Sequence, residues 1–121
     1  MKSIIFINEE APDKNGNQVD IDGLYLPSQI PVTMAFNGIQ IGTAKPRREG
    51  NQIVADINIP RITGIIFPAI GYRAIDSYQS IGGSTIVCKA DLVEVGLCEK
   101  NTDERIPPLD FSQHGRNETS E

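Results

Sequence analysis

The pattern that most narrows what this chain can fold into is the alternation in residues 52–59, QIVADINI. Ile53, Ala55, Ile57 and Ile59 fall on one side of an extended backbone, with Gln52, Asp56 and Asn58 on the other. A helix would scatter the same residues around its circumference, so this spacing specifies a strand with one face in a core. Similar signals flank it. Residues 3–7, SIIFI, read as a first strand; Val32, Met34 and Phe36 share a face before Asn37-Gly38, which has the composition of a hairpin turn; Ile39 and Ile41 continue the alternation. Residues 65–73, IIFPAIGYR, are apolar almost throughout, and Pro68 predicts an edge or a bulge there. STIVCKADL and LVEVGLC give two further strand signals, with Val93, Val95 and Leu97 on one face and Glu94 and Cys98 on the other.

These segments predict about six strands in a mainly β fold: a single small antiparallel or mixed sheet, curled toward a barrel. Val32, Met34, Ile53, Ile57, Ile70 and Val95 are the expected core. No segment has convincing helical periodicity, and Pro27 limits DGLYLPSQ to about one turn. The expected organisation is one β-rich domain over residues 1–110 followed by a flexible acidic tail over 111–121. At 121 residues the chain has room for one modest core. With aromatics at 6% and no Trp, that core must come from Ile, Val, Leu and Ala.

Charge and ligand chemistry exclude several functions. The net charge of −5 divides into −3 over residues 1–23, +1 over 24–60, 0 over 61–100 and −3 over 101–121, so both ends are acidic. The one dense basic group, Lys45, Arg47 and Arg48, reads as a solvated turn, and nucleic acid is not an expected partner. No apolar run reaches spanning length and the first residues do not resemble a secretory signal, so the expected setting is the cytoplasm, without a membrane. Cys88 and Cys98 read as reduced, buried thiols; with one His and no Cys-x-x-Cys pair, neither metal nor cofactor is expected. Asp13-Lys14-Asn15-Gly16-Asn17 has the opening of a calcium loop but lacks its closing Glu, so it reads as an Asn-Gly turn.

Chemistry-bearing patterns appear in a definite order. Phe36-Asn37-Gly38 precedes Ile41-Gly42-Thr43-Ala44; then come Ala69-Ile70-Gly71-Tyr72, Asp91-Leu92-Val93-Glu94-Val95 and the polar segment from Asn101. In that order and spacing they resemble the prohead maturation proteases of tailed bacteriophages, relatives of the herpesvirus assembly proteases. The resemblance implies an assembly-protease-like fold and places the family's nucleophilic Ser at Ala69 and its catalytic His at Phe36 or Asn37. A methyl group cannot attack a carbonyl, and neither Phe nor Asn can accept a proton near neutral pH. His114 falls in the expected tail, Ser80-Ile81-Gly82 reads as a turn too close to Asp91, and Glu94 reads as a solvated strand residue without a catalytic role.

The resemblance therefore implies an inactive relative with no catalytic residues: a structural component of a phage head, decorating the capsid or assisting its assembly. Its partners would be the major capsid protein or other head proteins, with homo-oligomers possible. It would act first in the host cytoplasm and then in the virion. Expected contact regions are Glu9–Asp22, Lys45–Asn51 and Asn101–Pro108. Two readings compete with this one: an active prohead protease or other hydrolase using Cys88, Cys98 or a serine with an unrecognised base, and a generic β-domain adaptor.

Overall fold

The computed structural model describes residues 1–60 and 64–110. Nine strands form there: β1 (Lys2–Ile7), β2 (Asn17–Val19), β3 (Leu24–Tyr25), β4 (Ile30–Met34), β5 (Gln40–Glu49), β6 (Gln52–Asn58), β7 (Ile65–Gln79), β8 (Thr85–Cys98) and β9 (Leu109–Asp110). A 3₁₀ turn at Ile21–Gly23 separates β2 from β3. The sheet runs β1-β6-β5-β4-β8-β7-β9, with β2 and β3 also paired to β8. Strand β8 runs parallel to β2, β3 and β4 and antiparallel to β7, so the sheet is mixed. It curls into an open half-barrel that brings β1 close to β7. This is the mainly β, curled sheet that the alternation predicts.

The turns follow local chemistry. Glu49 pairs with Gln52, leaving a two-residue loop whose first member, Gly50, has φ +65°, where a glycine is favoured. The Asp13 carboxylate accepts the backbone N–H groups of Asn15 and Asn17 at 2.8 and 3.0 Å, closing the expected Asn-Gly turn. The Asp20 side chain caps the 3₁₀ turn by accepting the Asp22 N–H. At the tip of the β7–β8 hairpin, the Ser80 and Ser84 hydroxyls bond each other at 2.6 Å. Gly23 lies so close to β8 that a Cβ there would overlap the Cys88 carbonyl, which explains a side-chain-free residue at that position.

Several expectations require correction. Lys45–Glu49 is strand, not a solvated turn: Arg47 bonds Glu49 and Asp56 at 2.9 and 3.0 Å, Arg48 pairs with Asp22, and Lys2 with Glu49. Carboxylates from β6 (Asp56), the 3₁₀ turn (Asp22) and β5 itself (Glu49) let Arg47 and Arg48 lie in the ladder. The chain reverses after β4 at Ala35-Phe36, two residues before Asn37-Gly38, which removes Phe36 from the face shared by Val32 and Met34. Leu109 and Asp110 pair with β7. The expected tail, including His114, lies outside the described residues.

The two signals at 84–98 are one strand, read as two because bulges change its parity. Val93 lies between the partnered residues Leu92 and Glu94, and Cys88 between Val87 and Lys89, each without a partner on β7. The buried series is consequently Val87, Ala90, Leu92, Val95 and Leu97, while Val93 is exposed. Short strands β2, β3 and β9 raise the count from six to nine.

Val32, Ile53, Ile57 and Val95 are buried in the main core, and Met34 and Ile70 pack against it half-buried. Val54 is buried as well, but it lines a separate groove with Ile4, Pro107 and Pro108. The 107–109 segment thus covers a β6 residue outside the main cluster. Replacing Ile57 with Asp should cost about 3 kcal/mol or more, since it leaves an unpaired charge in an apolar layer. Val93→Thr, on the exposed bulge, should change stability by no more than about 0.5 kcal/mol. Urea unfolding of both variants checks the bulge assignment, and equal destabilisation would contradict it.

Candidate functional site

The turn between β4 and β5 is strained. Ala35 and Phe36 have φ of +49° and +61°, and Met34 O accepts the Asn37 N–H at 3.0 Å, the signature of a turn that favours Asn and Gly at its centre. Left-handed conformations cost non-glycine residues on the order of 1–2 kcal/mol each. Three contacts fix the reversal: the Ala35 N–H donates to Leu97 O at 2.9 Å, the Asn37 side chain accepts the Ile39 N–H at 2.9 Å, and Met34 pairs with Leu97 across the parallel ladder.

The result is a fixed position for the Phe36 ring. A Cβ placed on Gly96 would lie 2.5–2.7 Å from three Phe36 ring carbons, and one on Gly71 would lie 3.2 Å from the ring and 2.8 Å from Glu94 Cγ. The ring therefore rests on two glycines of adjacent strands, a seat any larger residue would fill. Glu94 lies beside it, half-buried rather than solvated, and accepts the Thr33 hydroxyl at 3.0 Å. Asp91 pairs with Arg73 at 2.7 Å, and Asn101 accepts the Asp103 N–H at 3.0 Å. These parts of the ordered patterns thus hold strands and turns in place.

Phe36 and Ala69, far apart in sequence, line one cleft of about 270 Å³ at the seam where β1 meets β7. Ile5, Ile70 and Tyr72 form apolar parts of its wall; Glu9, Asp13, Thr102 and Asp103 bring polar groups. No Ser, Cys or His of the described residues lines it. Arg105 fixes one side, gripping Asp103 through Nη2–Oδ2 at 2.8 Å and Nε–Oδ1 at 3.1 Å while donating to Ile7 O and Asn8 O at 3.1 Å each. This fork holds Asp103 below the usual carboxylate range. Glu9 is pushed above that range, chiefly by burial, although its Oε1 accepts the Val19 N–H. Burial first, then the charges of Glu9 and Asp13, push up the Tyr72 phenol.

The resemblance pointed to Phe36, Asn37 and Ala69; the structure brings Phe36 and Ala69 together, while Asn37 serves the turn. Tyr72 belongs to the Ala69–Tyr72 pattern, and Glu9, Asp13 and Asp103 fall in the expected contact regions Glu9–Asp22 and Asn101–Pro108, but nothing in the sequence joined the four to one cleft, because loops that are distant in sequence deliver three of them. Among the described residues no group of three or more His, Cys, Asp or Glu is placed to hold a metal ion. Among the described residues no helix is long and apolar enough to cross a membrane, a statement that concerns helices alone. No protein-family model, curated protein or solved structure matches the chain.

Glu9 supplies a pH test. Its folded pKa lies above its unfolded value, so its protonated form favours folding and its ionisation disfavours it. That contribution is present below the unfolded pKa and is lost as pH rises through the folded one. Glu9→Gln should therefore stabilise the fold at pH 7 by less than about 1 kcal/mol after solvent screening, seen as a small rise in melting temperature, and should give no gain at pH 3.5. Melting curves at the two pH values check this.

Proposed function

We propose that this chain is a non-catalytic structural protein of a phage head, decorating the capsid or assisting its assembly, on a prohead-protease-like fold. One observation carries the reading: Ala69, at the position that the resemblance assigns to the nucleophile, and Phe36, one of the two positions with Asn37 that it assigns to the base, share one cleft although 33 positions apart in sequence. Their sharing one cleft is what the motif order would lead one to expect of such a fold, and it supports the reading on that ground. Their side chains, a phenyl ring and a methyl group, leave acyl transfer without its attacking atom and its proton acceptor.

Other described nucleophiles give hydrolysis little support. Burial pushes the Cys98 thiol up, away from the thiolate. The Ser3 hydroxyl donates to Ile4 O at 3.1 Å, and Ser80 and Ser84 occupy each other at the hairpin tip. The partner on this reading is the major capsid protein or another head protein, met in the host cytoplasm and kept in the virion, with self-association possible. Neither nucleic acid nor membrane is required, and the chain works without a cofactor. A small domain can present roughly 800 Å² to a partner, and repetition around a symmetric shell multiplies weak contacts.

Two measurements test the reading. Quantitative mass spectrometry of purified mature particles should find the chain in copy numbers comparable to capsomers; trace amounts or absence would refute decoration and leave transient assembly or a generic adaptor. Purified protein should cleave neither itself nor a co-expressed scaffold, and Ala69→Ser alone should not create activity, because the base is still missing. Specific cleavage abolished by Cys88→Ala or Ser80→Ala would establish a hydrolase instead.

A further inference from the structure

The seam between β1 and β7 is the one place where the curled sheet approaches itself without a backbone ladder among the described residues, since β1 pairs with β6 and β7 with β8 and β9. Ile106 and Leu109 are buried along it, and the remaining opening is the 270 Å³ cleft. Sites for drug-sized ligands and cofactors occupy about 300–1,000 Å³. This cleft is smaller, and its dimensions suit one long side chain.

Its chemistry is divided. Ile5, Ile70, Tyr72 and Phe36, a residue 40% exposed, provide apolar and aromatic surface. Glu9, Asp13 and Asp103 provide carboxylates, and no Lys or Arg lines the cleft among the described residues. The three acids are not equivalent. Arg105 takes both Asp103 oxygens, whereas Glu9 and Asp13 each use one oxygen on backbone N–H groups and have no described donor on the second. Glu9, half-buried beside Asp13 and Asp103, has no ion pair with a described cation; the nearby Arg105 charge is engaged by Asp103, so negative potential remains at the mouth of an apolar slot.

We infer that this cleft binds a long cationic side chain, arginine in preference to lysine, presented by an extended segment of a partner protein. The apolar stem would lie along Ile5 and Ile70, the planar head would stack against Phe36 or Tyr72, and its N–H groups would reach Glu9 and Asp13. Guanidinium suits such a site because it combines stacking with forked donation, and it is more weakly hydrated than ammonium. The unladdered edges of β1 and β7 offer backbone partners to residues flanking the anchor. The inference rests on reading the cleft as a binding surface, and it names the chemistry of the partner.

The test uses the full chain and a fluorescein-labelled peptide of sequence Ala-Leu-Arg-Leu-Ala-Ala, with versions carrying lysine, norleucine or glutamate in place of arginine. Fluorescence anisotropy should show saturable binding of the arginine peptide, weaker binding of the lysine peptide, and a loss of about tenfold or more with norleucine. The glutamate peptide should not bind. Glu9→Gln should weaken arginine binding by a similar factor while leaving the norleucine peptide unchanged. Phe36→Ser should weaken both, with circular dichroism confirming that each variant is folded. Backbone amide shifts on adding the arginine peptide should concentrate at Ile5, Glu9, Phe36 and Tyr72. Equal binding of the norleucine or glutamate peptide, shifts centred elsewhere, or no binding of any peptide would overturn the inference while leaving the head-protein reading to particle composition. Cleavage of the peptide, seen by mass spectrometry, would overturn both.

Discussion

Strand β8 holds this molecule together, because it gathers three N-terminal strands along one edge and the longest strand, β7, along the other. On one edge it takes β2, β3 and β4 in parallel, and on the other the long β7 in antiparallel register. Parallel strands need crossover connections and are stable chiefly when covered, so the N-terminal strands can lie on β8 only where apolar residues meet them. Val87, Ala90, Leu92, Val95 and Leu97 meet that requirement, but only because two bulges rotate the strand back to the core whenever its parity would turn it outward. Without the bulge at Val93, the alternation that buries Val95 would bury Val93 in place of Leu92.

The same bulges fix where the sheet stops. A regular 14-residue strand would extend a flat ladder, whereas bulged pairs twist more strongly and curl the sheet. Here curling carries β7 around to β1 but does not join them, and residues 102–109 lie along the opening. The fork of Arg105 on Asp103 and on the carbonyls of Ile7 and Asn8 holds that segment to the end of β1. A partly closed barrel therefore produces a cleft at its own seam, lined by β1, β7, the 35–36 turn and two acidic loops.

Legibility in the sequence followed the range of the interactions. Residues 52–58 were readable because their strand is regular and its burial is nearly one-sided, and the Asp13 turn because its chemistry is local. Residues 84–98 were read as two strands because a bulge erases the period that identifies a strand. Lys45–Glu49 looked like a turn because its charges suggest solvent, and the carboxylates that answer them, Asp22, Asp56 and that of Glu49 itself, are mostly brought there by folding. The cleft divides in the same way. Motif order led to Phe36 and Ala69, while Glu9, Asp13, Tyr72 and Asp103 become neighbours only once the sheet has curled.

The Ala35-Phe36 turn is the strongest local argument for a site at this seam. Asn37 and Gly38 follow immediately and would tolerate left-handed backbone at little cost, yet the reversal is centred two residues earlier, on an alanine and a phenylalanine. Strain of this kind persists only where the surroundings over-determine it. What it secures is the location of one aromatic ring, on Gly71 and Gly96 and at the mouth of the cleft. Burial alone does not account for this, because Phe36 remains 40% exposed as a residue and its ring still borders the open cleft. A rigidly placed, accessible aromatic beside incompletely paired carboxylates has the composition of an interface anchor site, in which pre-organisation lowers the cost of ordering on binding. The conformational strain and the burial of Glu9 both weaken the isolated fold, and the proposed arginine anchor would offset the second by bringing a cation to the buried carboxylate.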